Sequence, residues 1–289
     1  MREQHLPSRS VVVGIDGSQA AVRAALWAVD EAVRRDIPLR LLCAIPPSDT
    51  ARLDSQDDER KLGTAELAVQ YASTAVESTD KPVKIELDIV HDIPIRSLIA
   101  ASRSAAMICV GAIGAAHFAP GRIGSTAAAL TKSALCPAAI IRGNGRPPSA
   151  QRRIVVVIDG SPDSGAALEA ALDEAQLRGA RLRVLTTSQS CLDYVHGGHA
   201  GSAEGHDARA RLDRFIAPWA RRYPDVKISP VATHGSLMNY LAGNAHSIQL
   251  VVAGLGGRHD AASELVGPAG NAALQGADCS VLIVSSRHL

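Results

Sequence analysis

The feature that most constrains this chain is that it is written twice. Laying residue i on residue i+143 superposes Asp16, Gly17 and Ser18 on Asp159, Gly160 and Ser161. The same offset carries Asp30, Glu31 and Ala32 onto Asp173, Glu174 and Ala175, Lys84 and Ile85 onto Lys227 and Ile228, and His91 onto His234. It also aligns Gly111, Gly114, Gly124 and Cys136 with Gly254, Gly257, Gly267 and Cys279. One constant offset over such a length means a duplicated domain with almost no net insertion or deletion, so the 289 residues divide into two domains, 1–145 and 146–289. The stretch "RGNGRPPSAQRR" over 142–153 is the expected linker, because its glycines, Pro147 and Pro148 sustain neither a helix nor a central strand.

Each copy alternates short apolar runs with helical stripes. "SVVVGID" reads as a strand followed by Gly-Ser, and Gln19 to Arg35 carries Ala21, Val22, Ala25, Leu26, Val29 and Val33 on one helical face. Further strands are predicted at 38–45, 83–90, 106–112 and over "CPAAII", with helices at 61–78, 94–104 and 125–134 and an acidic loop "DSQDDER" before the second helix. The second copy repeats the strands near 153–159, 181–187, 226–232, 248–254 and 280–284. Strands apolar enough to be covered on both faces, alternating with helices, imply an α/β class with a mostly parallel sheet between helical layers. Ligands of such sheets lie at the carboxyl ends of the strands, where the strand order reverses.

The glycines mark where that end is. After the fourth strand comes "GAIGAAHFAPGRIGST", in which Gly111 and Gly114 let the backbone turn tightly and approach a ligand without an intervening Cβ. Gly124 then delivers the chain into a helix whose first N–H groups are unpaired and whose dipole favours an anion, with the hydroxyls of Ser125 and Thr126 beside them. Arg122 is a candidate charge in the same stretch, or a solvent-facing arginine. The spacing fits neither a P-loop nor the close-packed glycines of a dinucleotide fold, and phosphate binding and a plain strand-to-helix turn both remain readings of it. Asp16, at the end of the first strand, suits ribose hydroxyls or an adenine amine; the alternative is a helix cap or an Asx turn with Gly17 and Ser18. Cys43 and Ala44 at the end of the second strand are candidates for an apolar slot for a base, or two core residues.

Charge narrows the partners. Lys and Arg number 30 against 29 Asp and Glu, a formal charge of +1, so no bulk nucleic-acid or anionic-membrane surface is indicated and any anion binding belongs to a local site. The apolar runs are strand-sized, with no secretory leader and no transmembrane span expected, and a cytoplasmic location is the default. Five cysteines without CxxC spacing read as small buried thiols at Cys43 and Cys109, not as a disulfide scaffold. His196 and His199 have a spacing that suits zinc only if Cys191 or Asp207 folds back, and their glycine-rich setting argues for a loop. Trp27 and Trp219 read as packing residues, and His91 and His234 as surface turns.

The strand ending in "GIDGS", the second-strand "LLCAI" and above all the G-x2-G-x9-G-S spacing before a helix and "CPAAII" resemble the universal stress protein family, in its tandem-domain mycobacterial form. The resemblance implies two tandem flavodoxin-like, Rossmann-like domains, each a five-stranded parallel sheet with helices on both faces. It implies pairing through the last strand, between chains in a homodimer or between the tandem halves. It also implies an ATP-binding protein with a regulatory or stress-response role, in which Gly14, Asp16, Ala44, Val110, Gly111, Gly114, Gly124, Ser125 and Thr126 contact the nucleotide. Mg on the phosphates is expected from nucleotide chemistry, although no carboxylate cluster specifies it. Nothing in the motif acts as a general base, which disfavours an enzyme; a weak ATPase and an interaction protein without nucleotide are the rival readings.

The second copy departs from the motif. Gly254, Gly257 and Gly267 keep their spacing, but Pro268 and Ala269 replace Ser125 and Thr126, Val157 replaces Gly14, and Thr187 replaces Ala44. Pro is well tolerated in the first turn of a helix, so the fold survives the change. Two hydroxyls and one N–H are lost, each hydrogen bond to a charged phosphate being worth roughly 1.5–3 kcal/mol. Glu264 falls within the nine-residue loop, where it would repel phosphate. The expectation is nucleotide binding mainly in the first domain.

Overall fold

The computed structural model describes residues 9–47, 55–115, 123–143, 152–187, 204–233, 236–255, 261–274 and 279–285. The chain falls into two compact units, Met1–Arg142 and Gly143–Leu289. Arg122, Cys191, His196, His199, His234, Gly257 and most of the linker lie outside the described residues. Among the described residues, no helix is long and apolar enough to cross a membrane.

The first unit runs β1 (Val11–Ile15), α1 (Gln19–Arg35), β2 (Leu39–Ala44), α2 (Ser55–Glu77), β3 (Ile85–Val90), α3 (Pro94–Ala101), β4 (Met107–Gly111), α4 (Ser125–Ser133) and β5 (Ala138–Ile141). Its strands lie in the order β3-β2-β1-β4-β5, every neighbouring pair parallel. The crossovers bring α1 against α2 and α3 against α4, each pair packing together over the sheet. The central strands are buried on both faces, as Val11, Val12, Val13 and Ile108 illustrate. The order reverses between β1 and β4, so a crevice opens at their carboxyl ends.

Local chemistry sets the helix ends. The Ser18 hydroxyl accepts the Ala21 N–H at 3.1 Å and starts α1, while Arg34 and Arg35 complement the dipole in its last turn. Its inner face is an alanine seam, Ala24, Ala25, Ala28 and Ala32, all fully buried, which lets the helix lie close on β1 and β4. Residues 55–60 of the stretch read as an acidic loop are instead the first turns of α2, Asp54 lying outside the described residues. Asp57 and Asp58 sit at the positive end of that helix, and Asp57 pairs with Arg60 and Lys61, so the charges stabilise a helix start.

The second unit runs β6 (Arg153–Val157), α5 (Ser164–Leu177), β7 (Leu182–Thr187), α6 (Glu204–Arg222), β8 (Ile228–Thr233), α7 (Leu237–Asn244), a 3-10 turn (Ala245–Ser247), β9 (Ile248–Gly254), α8 (Ala261–Val266), α9 (Pro268–Leu274) and β10 (Ser280–Val284). Its order is β10-β9-β6-β7-β8, again parallel throughout. Pro230 sits in β8, whose far side carries no further strand in this order, so its missing N–H breaks no ladder there. Both units bury a glutamate in their first helix and pair it one turn on: Glu31 with Arg35, and Glu174 with Arg178 at 2.8 Å.

One expectation is overturned here. The nine residues before Gly267 are not all loop, because Ala261–Val266 forms α8, with Ala261, Ala262 and Leu265 buried beneath it and Glu264 exposed. The turn into α9 is locked: Gly267 donates its N–H to Ser263 O at 2.8 Å, and the buried Asn271 side chain donates to Val266 O at 3.3 Å.

Candidate functional site

In the first unit the crevice between β1 and β4 is a cleft of about 260 Å³. All nine residues singled out from the sequence, Gly14, Asp16, Ala44, Val110, Gly111, Gly114, Gly124, Ser125 and Thr126, line it. Cys43 does not: strand alternation turns it to the other face, where burial and then the Asp16 carboxylate push its thiol pKa up. The sequence reading missed Leu42, Pro94 and Leu98, which complete the apolar end of the cleft. Pro94 opens α3 and Leu98 follows one turn later, a spacing that marks one helical face but not the strand it meets.

Asp16 organises the polar end. Its Oδ1 accepts the Ser18 N–H at 3.0 Å, forming the Asx turn, and its Oδ2 accepts the Ala115 N–H at 2.9 Å. The helix cap belongs to Ser18. Gly17 between them has φ +80°, the left-handed region that glycine enters without strain. Gly111, which ends β4, and Gly114 after it are both set by close approach. A Cβ on Gly111 would lie 2.7 Å from the backbone of Ala20, and one on Gly114 would lie 2.8 Å from Asp16 Oδ2.

Gly124 closes the cleft from below. Its N–H bonds to Ala112 O at 2.8 Å, and it enters α4 in an extended conformation with no side chain capping the helix. The first N–H groups of α4 and the Ser125 and Thr126 hydroxyls therefore converge on the same space as Asp16. Such an end attracts an anion, and the apolar walls suit a flat ring. Among the described residues no group of three or more His, Cys, Asp or Glu is placed to hold a metal.

The equivalent positions of the second unit are differently filled. Val157 pairs directly with Ala253 across β6 and β9, where the first unit has Gly14 and Val110. A Cβ on Gly14 would meet Val110 at 3.1 Å and Leu98 at 3.2 Å, so the exchange moves the bulky side chain from one strand to the other. Val157 is thus accommodated in the core, a compensation the sequence reading overlooked. Ser164 stands where the first unit has Ala21, and its hydroxyl donates to Asp159 Oδ1 at 3.0 Å, alongside the Ser161 N–H at 3.0 Å. Asp163, also unremarked from sequence, stands where the first unit has Ala20. It is buried and packs on Gly254, whose added Cβ would lie 2.7 Å from its own. An acid therefore sits beside the crevice where its twin carries a methyl group.

Comparison with known proteins places these two units. A family model described as "Universal stress protein family" matches residues 7–142 and 151–285. The chain is similar to Universal stress protein Rv2028c of Mycobacterium tuberculosis, at 49% identity over 290 residues and 100% of both chains. It is also similar to Universal stress protein Rv3134c of the same organism, at 42% identity over 283 residues and 98% of each. Among solved structures, a universal stress protein from Archaeoglobus fulgidus shares the fold with a TM-score of 0.70 at 16% identity, over 96% of each chain. With both halves matched and relatives aligned from end to end, the chain belongs to the universal stress protein family.

Proposed function

We propose that the first unit binds an adenine nucleotide, ATP in the resting protein, and that the chain acts through this binding as a regulatory stress-response protein of the cytoplasm. One observation carries the reading: Asp16, the Gly111–Gly114 turn and the uncapped start of α4 converge on one cleft. Its 260 Å³ is near the lower limit of about 300 Å³ for ligand pockets, which suits a nucleoside body with its phosphates outside, over Ser125 and Thr126. Leu42, Leu98 and Val110 would cover the base, and the free lone pairs of Asp16 would take the ribose hydroxyls. The phosphates would carry Mg with them, the walls of the cleft offering a single carboxylate. Because both oxygens of that carboxylate are already held by backbone N–H groups, its role is to orient a ligand and not to relay a proton.

The second unit, on this reading, binds nucleotide weakly or not at all. Pro268 and Ala269 lack the donors of Ser125 and Thr126, Asp163 adds a negative charge, and α8 occupies part of the stretch that would wrap phosphates. Calorimetric titration of the intact chain with ATP tests both parts. One nucleotide per chain is the expected result; two equal sites would remove the asymmetry, and no binding would remove the function.

A further inference from the structure

The two copies differ in the charge of one sheet face. In the first unit Arg40 on β2 and Lys84 before β3 are both neutralised. Arg40 Nε donates to Asp88 Oδ2 at 3.0 Å, and Lys84 Nζ donates to Glu86 Oε1 at 2.7 Å. The second unit keeps both cations, as Arg183 and Lys227, and loses both acids, whose places are taken by Val231 and Ser229. It also gains two cations at the same end of the sheet, Arg153 for Ser10 and Arg181 for Pro38. Arg183 is half-buried, and its Nη1 donates to the Tyr240 hydroxyl of α7 at 2.7 Å, a neutral acceptor that leaves the charge unmatched. Its Nε, equivalent to the atom that Asp88 holds in the first unit, is buried with no acceptor among the described residues. Lys227 and Arg181 stand one row before it. Leu182 donates its N–H to Lys227 O at 3.0 Å and Ile154 to Arg181 O at 2.9 Å, and both cationic side chains are exposed. Among the described residues none of these four cations has a carboxylate partner, and the exposed Asp225, two positions before Lys227, pairs with none of them.

We propose that this face is a second anion site, for a compact soluble polyphosphate with two or more linked phosphate groups. Guanidinium groups match phosphate oxygens with paired N–H donors, and a half-buried arginine is screened less by salt than an exposed one. Neighbouring strands lie about 4.8 Å apart, so the cationic row from β6 across β7 to β8 spans roughly 10 Å. That length suits a short phosphate chain. Nucleic acid draws its affinity from many phosphates neutralised along a track, which so short a row does not supply. The face belongs to the amino ends of the second unit's strands and shares no residue with the nucleotide cleft of the first. The proposal therefore stands or falls independently of that cleft.

The test is calorimetric titration of the full chain with inorganic tripolyphosphate. Saturable binding at this face is expected, at least about tenfold tighter than orthophosphate. Arg183→Gln should weaken it about tenfold or more. Ser229→Glu returns the acid that the first unit carries as Glu86, and should weaken tripolyphosphate by a similar factor without lowering the melting temperature. Ser229→Gln, of the same size but uncharged, should leave the affinity within about twofold, which separates lost charge from added bulk. Absence of saturable binding would overturn the proposal, as would binding undiminished by Arg183→Gln or weakened equally by Ser229→Glu and Ser229→Gln. Binding that survives Ser229→Glu in full would place the anion in the nucleotide cleft instead. Tighter binding of a short oligothymidylate, or of phosphatidylcholine vesicles containing phosphatidylinositol bisphosphate, would assign the face to nucleic acid or to a membrane and overturn it too.

Discussion

The Oδ2 atom of Asp16 accepts the N–H of Ala115 at 2.9 Å, joining residues 99 positions apart and tying the end of β1 to the turn after β4. On the proposed reading, the same side chain would shape the turn that faces the phosphates and present the acceptor for the ribose. Asp16→Ala is expected to weaken ATP binding by about tenfold to a hundredfold, the range for lost hydrogen bonds involving a charged group, with Asp16→Asn intermediate. Calorimetry on each variant checks the order. An unchanged affinity in Asp16→Ala would show that the carboxylate is purely structural.

Ser125→Pro transplants the helix start of the second unit into the first. It should leave the melting temperature nearly unchanged, since proline suits a first helical turn, while weakening ATP about tenfold or more. The reverse change, Pro268→Ser, should restore little, because Ala269, Asp163 and α8 remain. Strong recovery of a second site from that substitution alone would show that proline was the only obstacle.

Glu31 and Glu174 are both buried, but their partners are not equally so. Arg35 keeps 29% of its side-chain surface, whereas Arg178 keeps 3%. Removing a glutamate takes the carboxylate from its arginine, and Arg35 is the more exposed of the two arginines. Glu174→Ala should therefore cost about 3–5 kcal/mol, and Glu31→Ala distinctly less. Urea midpoints for the two variants give the comparison directly.

Two glycines in helices should respond in opposite senses to alanine. A Cβ on Gly270 would lie 2.3 Å from Leu265 O and 2.4 Å from Glu264 O, so Gly270→Ala must push α8 and α9 apart, at about 1–3 kcal/mol or more. Among the described residues a Cβ on Gly63 meets nothing within 4 Å, and Gly63→Ala should stabilise α2 by about 0.5–1 kcal/mol. Thermal melts of both variants would reveal the difference.

Burial pushes the Cys136 thiol from 9.0 up to about 12. The unfolded chain ionises this group first, so its contribution to stability is intact below pH 9 and is lost as pH rises from 9 towards 12. In the folded protein, iodoacetamide labelling of Cys136 should stay slow at pH 10, as peptide mass spectrometry can measure. Fast labelling under native conditions would mean that the residue is accessible.

The parts of the fold that read clearly from sequence are those where one signal dominates. The apolar runs of β1, β4 and β9 have no competing pattern, and the apolar stripe from Ala21 to Val33 marks α1. The start of α2 was hidden because a run of charges resembles a loop until Asp57 is seen to pair with Arg60 and Lys61 on a helical face. α8 was missed because the glycine spacing of the first copy was carried over to the second, where Ala261, Ala262 and Leu265 bury themselves instead. Nine of the residues that line the cleft are ones the motif singles out. Leu98 and Asp163 are not, because their place depends on which helix crosses which strand, a tertiary fact.

The exchange of Gly14 and Val110 for Val157 and Ala253 bears on how the two copies can change over generations. Returning the second copy to the first copy's arrangement takes two substitutions, and neither is harmless alone. Val157→Gly first leaves a hole beside a small neighbour, and Ala253→Val first crowds two branched side chains, each at about 1–3 kcal/mol. The step is a ratchet: once taken, a return to the first copy's arrangement would have to cross a destabilised intermediate, and further divergence of the second copy becomes the easier course.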